Sequence, residues 1–187
     1  DLHSFPTRRS SDLVGAYVRD MVLSGLFIAL GIVLPMAFHS VKGGGPIFLP
    51  MHLPVLLGGL LVTPPFAIGI GVLTPLLSNL FTSMPPTFPT LPIMMVELAV
   101  YAFICSLVHI QFKLNYVLAL VCAMVLGRLA AGVTVYILIS AFSAKIPSVW
   151  LFMSGAVTKG LPGIIGQLIL IPVIMYAVEN YTKKGNA

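Results

Sequence analysis

The chain has 187 residues, of which 58% are hydrophobic and only 8% charged, with a formal net charge of +5. Soluble domains carry about 25% charged residues, so this sequence cannot furnish the surface of a soluble globule, and its hydrophobicity equally excludes a disordered chain. An integral membrane protein remains: at ~20 apolar residues per spanning helix, the length accommodates about six or seven spans joined by short loops.

Asp1 to Leu13 (DLHSFPTRRSSDL) is polar and lacks helical periodicity. It is not a signal peptide, since no apolar h-region directly follows its arginines and no small-residue cleavage site appears. HSFPTRRSSDL resembles the conceptual translation of a sequencing-library adapter, so residues 1–13 are set aside as a non-native tail. Residues 14–180 then form one transmembrane domain and 181–187 a cytoplasmic tail.

The first apolar run extends from Tyr17 to Phe38. His39 to Pro50 interrupts it, because three consecutive glycines between Lys42 and Pro46 cannot be a helix interior. The second run, Met51 to Val62, is short for a full span and reads as tilted or partly re-entrant. Thr63-Pro64-Pro65 is a tight turn, and a third run follows to Phe81. Thr82 to Pro92 holds four prolines and reads as a loop. The fourth run covers Ile93 to Phe112, and Lys113-Leu114-Asn115 is the next turn. The fifth run covers Tyr116 to Phe142, Ser143 to Ser148 is a loop, and the sixth run covers Val149 to Val178 with Pro162 and Pro172 inside. The expected fold is an all-α membrane bundle of six transmembrane helices. Six spans put both termini on one side. Arg19, Lys113, Lys183 and Lys184 then oppose Lys42 and Lys145, which favours both termini inside.

The basic residues are scattered, so no nucleic-acid site is read. Cys105 and Cys122 lie within apolar runs and read as small core residues. The histidines lack metal-ligand spacing, and no Walker A sequence, GxSxG elbow or HExxH pair is present. No catalytic residue, metal or cofactor is therefore assigned to the chain.

Charges inside spans are costly and mark pockets or partners. Glu97, Arg128 and Lys159 are the ones found here. At ~1.5 Å per residue, Glu97 lies roughly 6 Å and Lys159 roughly 15 Å from the outer face, and Arg128 roughly 18 Å from the inner face. His52 and Asn79, at the outer ends of their runs, join this layer, and Tyr101 sits one turn from Glu97 on the same face. The functional reading is an outward-open pocket with two cations and one carboxylate, suited to a small, partly anionic ligand. The structural alternative is that Glu97 pairs with Arg128 or Lys159 and only ties helices together. Gly25 and Ala29 form a small-xxx-small pair that admits a closely packed helix, from this chain or another subunit. A stand-alone ion-coupled carrier using Glu97 is the competing function.

The stretch from His52 to Tyr101 resembles the substrate-binding S components of energy-coupling factor (ECF) transporters. The features that carry the likeness are His52-Leu53-Pro54, Gly58-Gly59, Pro75-Leu76-Leu77-Ser78, Thr82-Ser83-Met84-Pro85-Pro86 and Met94-Met95-Val96-Glu97-Leu98. The resemblance implies a six-helix subunit of an ATP-driven vitamin importer in a bacterial-type cytoplasmic membrane. Its substrate would be held near the outer face, beneath a lid formed by His39 to Pro50 with Gly43, Gly44 and Gly45. It further implies a transmembrane coupling subunit docked on the Gly25/Ala29 face, two ATPase subunits that use the ATP, and release of substrate inward by toppling of the S component. Thr63-Pro64-Pro65 stands where relatives often have Gly-Pro, and Ser83 where a glycine often precedes Met-Pro-Pro, so the resemblance assigns no substrate.

Overall fold

The computed structural model describes residues 7–38, 47–142, 146 and 148–185. The expected lid glycines Gly43 to Gly45, with Lys42, lie outside these residues, as does Lys145. All regular structure among the described residues is helical. The helices are α1 (Thr7–Phe38), α2 (His52–Leu61), α3 (Pro64–Thr82), α4 (Thr90–Ser106), α5 (Tyr116–Phe142) and α6 (Val149–Gly185). A π-helical turn, Leu107–Gln111, prolongs α4.

Five of these helices are long and apolar enough to cross a membrane. The exception is α2, whose 10 residues reach roughly 15 Å, about half the ~30 Å hydrocarbon core. The six expected runs are thus six helices, of which α2 is too short to span. α1 starts at Thr7 rather than Tyr17, and so takes in part of the segment expected to lack helical order. Propagating an existing helix gains one hydrogen bond per residue fixed, so it readily runs into polar flanks. α6 likewise continues past Val178 to Gly185.

The turns follow from their residues. Pro64 and Pro65 open α3, where a missing N–H is no loss and the fixed φ suits a helix start. Thr63, the residue before them, is held from α1. Its N–H and hydroxyl both donate to Asp20 Oδ2, at 2.9 and 2.7 Å. Asp20 is buried, and its carboxylate stands at the positive end of the α3 dipole. Pro92 is accepted in the first turn of α4, so the proline-rich loop shortens to residues 83–89.

Helix contacts are close where side chains are small. A Cβ at Gly71 would overlap the backbone of Ala99, so α3 and α4 touch there nearly main chain to main chain. The principal core joins Leu56 and Leu60 of α2, Ile70 of α3, Leu98 of α4, Leu120 of α5 and Ile171 of α6. A second cluster near the other end joins Ile93, Ala131, Val135 and Leu138. Asp20 meets Thr63, Ser106 donates to Val62 O at 2.6 Å, and Met175 packs in the same core as Val62. Asp20 of α1 and Ser106 at the end of α4 therefore lie at one end of the bundle, beside the α2–α3 turn. The outward faces of α1, α5 and α6 are apolar, with Val22, Val33, Val133 and Ile169 all exposed. Such a surface suits lipid and would aggregate in water.

Candidate functional site

α2 begins part-way through the bundle. The segment before it, residues 47–50, runs inward against α6, where Gly163 has no side chain to hold off the backbone of Phe48. Leu49 adopts a positive φ of 50°. Its carbonyl accepts from His52 N–H at 3.0 Å and from Gln167 Nε2 at 3.2 Å. The chain is thereby pinned to α6 and turned into α2, with the His52 ring at the buried N-terminus of that helix.

Glu97 and Tyr101 are one turn apart on α4 and share a face. Tyr101 Oη donates to Glu97 Oε1 at 2.9 Å. Arg128 of α5 brings Nη1 to within 3.0 Å of the same oxygen, and His52 Nε2 lies 3.9 Å from it. The His52 and Tyr101 rings meet edge to face, with centroids 5.5 Å apart. The side chains of His52 and Glu97 are each 5% exposed, and that of Arg128 14%. This is a buried charge pair with supporting hydrogen bonds, the arrangement that a low-dielectric setting demands. Gly127 makes room for it, because a Cβ there would overlap the Tyr101 ring. His52 Nδ1 is buried and meets no hydrogen-bond partner among the described residues.

Beside this cluster lies a cavity of about 310 Å³, at the small end of the ~300–1,000 Å³ seen for ligand sites. Its polar lining is Tyr101, Arg128 and Gln167, and its other walls are apolar: Leu49, Met124, Val125, Leu129, Val157 and Ile164. The walls are almost wholly aliphatic, and Arg128 is the main polar group at hand for a ligand, since the Gln167 amide is committed to Leu49 O.

Of the residues expected at the site, the structure brings together His52, Glu97, Tyr101 and Arg128. Glu97 pairs with Arg128. Asn79 is elsewhere: its amide donates to Pro85 O at 2.7 Å and to Thr87 Oγ1 at 3.3 Å, tying the proline-rich loop to the end of α3. Lys159 is also elsewhere, on the exposed side of α6. It does not line the cavity, whose α6 residues are Val157, Ile164 and Gln167. The expected pair of cations is therefore one cation. Gly25 and Ala29 are exposed on α1, and an added Cβ at Gly25 would meet nothing within 4 Å. Sequence reasoning missed Leu49 and Gln167. Gln167, a polar residue deep in the apolar run of α6, carried a usable signal; Leu49 carried none.

The sequence profile of the ECF transporter substrate-specific component matches residues 19–175 of the chain. The chain belongs to this family. It is thus a multi-pass membrane protein and a substrate-binding transporter subunit rather than an enzyme. Members of the ECF substrate-specific family associate with transmembrane coupling and ATPase subunits and take small-molecule substrates. Neither the curated proteins nor the solved structures contain a significant match to the chain.

Proposed function

We propose that this substrate-specific component captures a vitamin or related micronutrient for an ATP-driven importer. The ligand occupies the cavity between α4, α5 and α6, with Arg128, Tyr101 and Gln167 at its polar end. Glu97 and His52 stand behind them as positioning residues. The observation that carries this reading is the convergence of Arg128, Tyr101 and His52 on one Glu97 oxygen beside a cavity with aliphatic walls.

The chain lies in a bacterial-type cytoplasmic membrane with both termini inside, in keeping with Arg19 and Lys113 at the shared end of the bundle. The outward Gly25/Ala29 face of α1 docks on the transmembrane coupling subunit, since small residues allow close helix approach. Two ATPase subunits supply the energy, so the chain itself needs no nucleotide or other cofactor. Native mass spectrometry of the detergent-purified chain tests the binding role: a retained small molecule of discrete mass is expected. Liposomes test the energetics. The chain alone should give no sustained accumulation under an ion gradient, and adding the coupling and ATPase subunits with ATP should restore it. Ion-driven uptake by the chain alone would refute the proposal.

A further inference from the structure

The charge of the cavity narrows the ligand. Arg128 is the one charged residue lining it among the described residues. Its Nη1 is engaged with Glu97 Oε1 at 3.0 Å, so the pair presents no net charge. Lys159 is exposed on α6 and does not line the cavity. The His52 ring is buried, and at 3.9 Å from Glu97 it is outside hydrogen-bond reach of the carboxylate. It adds no fixed charge, because a buried ion needs a close partner.

An anionic ligand would have to enter low-dielectric surroundings with no uncommitted cation among the described lining residues to meet it. It could gain Arg128 only by stripping Glu97 of its partner and leaving that carboxylate buried and uncompensated, which is the costlier arrangement. An uncharged or zwitterionic ligand meets neither obstacle. The remaining N–H groups of the guanidinium can donate to a carbonyl, hydroxyl or ring nitrogen. Tyr101 Oη, whose proton goes to Glu97, can accept from a ligand N–H or O–H.

We infer that the cavity selects compact ligands of zero net charge, with one hydrogen-bonding end at Arg128 and Tyr101 and an apolar body against Met124, Val125 and Ile164, and that it rejects anions. This inference rests on the reading of the chain as a substrate-binding subunit, and deepens it.

The test uses the full-length chain in detergent and a small-molecule extract of its expression host. Ion exchange at neutral pH separates that extract into anionic, cationic and net-neutral fractions. Each fraction is added to the protein, and thermal unfolding is followed. The net-neutral fraction should raise the melting temperature by roughly 5–10 °C when its active component reaches about a hundred times Kd. The anionic and cationic fractions should leave it unchanged. Glu97→Gln, which uncovers the Arg128 charge, should transfer the stabilisation to the anionic fraction. Stabilisation of the wild type by the anionic or cationic fraction, equal to or above that of the neutral one, overturns the charge selection and leaves the binding role standing. Stabilisation by none of the three overturns the binding role and this inference with it. The wild-type comparison decides between these results without requiring the variant to fold.

Discussion

Arg128 and Glu97 meet at 3.0 Å with Tyr101 hydrogen-bonded to the same carboxylate oxygen, so polar groups of α4 and α5 converge on a single buried atom. Removing one partner strands the other charge, at a cost of about 3–5 kcal/mol, whereas an apolar replacement of both is often nearly neutral. Arg128→Met and Glu97→Leu should each lower the melting temperature in detergent, and the double variant should melt above either single one. Strictly additive losses would show that the two residues do not act as a pair.

Arg128 and Lys159 should separate in binding assays. Arg128→Ala should weaken retention of the co-purifying ligand about tenfold or more, the ~1.4 kcal/mol of one lost polar contact. Lys159→Gln should leave retention within about twofold, because Lys159 is exposed and does not line the cavity. Equal losses from both would contradict this placement.

Gly127 should tolerate no side chain while Tyr101 is present. Gly127→Ala should lower stability by about 1–3 kcal/mol, the usual cost of overpacking, because its methyl would overlap the Tyr101 ring. Adding Tyr101→Ala should relieve part of that loss. Thermal unfolding of the two single variants and the double variant measures the coupling, and independent effects would count against the contact.

Asp20 should matter for stability although it lies far from the site. Asp20→Ala leaves the Thr63 N–H and hydroxyl without their acceptor, which should cost about 1–3 kcal/mol. Thr63→Val, which keeps the N–H bond, should cost less. The order of melting temperatures, wild type above Thr63→Val above Asp20→Ala, checks the assignment.

Gly25→Leu should block recovery of a complex with the coupling subunit and leave thermal stability and ligand retention unchanged. Within the chain the added side chain has open space around it, so a fall in the stability of the isolated chain would mean that this face packs internally.

Much of the bundle is legible in the sequence, because turn chemistry bounds the apolar runs. Lys113-Leu114-Asn115 places the start of α5 at Tyr116, and the helix ends at Phe142 as expected. Depth is legible as well: counting residues puts Glu97 and Arg128 in one layer, and the structure pairs them. Azimuth is not legible. A helix that is apolar on every side carries no amphipathic signal to show which face turns inward. Lys159 and Arg128 thus look equivalent by depth, and only the fold separates them. Asn79 misleads for a related reason, since an amide at a helix end can serve a loop as readily as a ligand. The segment around Leu49 has no polar side chain to mark it, because what it contributes is a main-chain carbonyl.

The compensated Arg128–Glu97 pair also has an electrical consequence. One elementary charge moved across a membrane exchanges about 2.3 kcal/mol with each 100 mV of potential. A guanidinium that travels together with its carboxylate carries no net charge across that field. A neutral ligand carried beside such a pair would add no charge movement of its own.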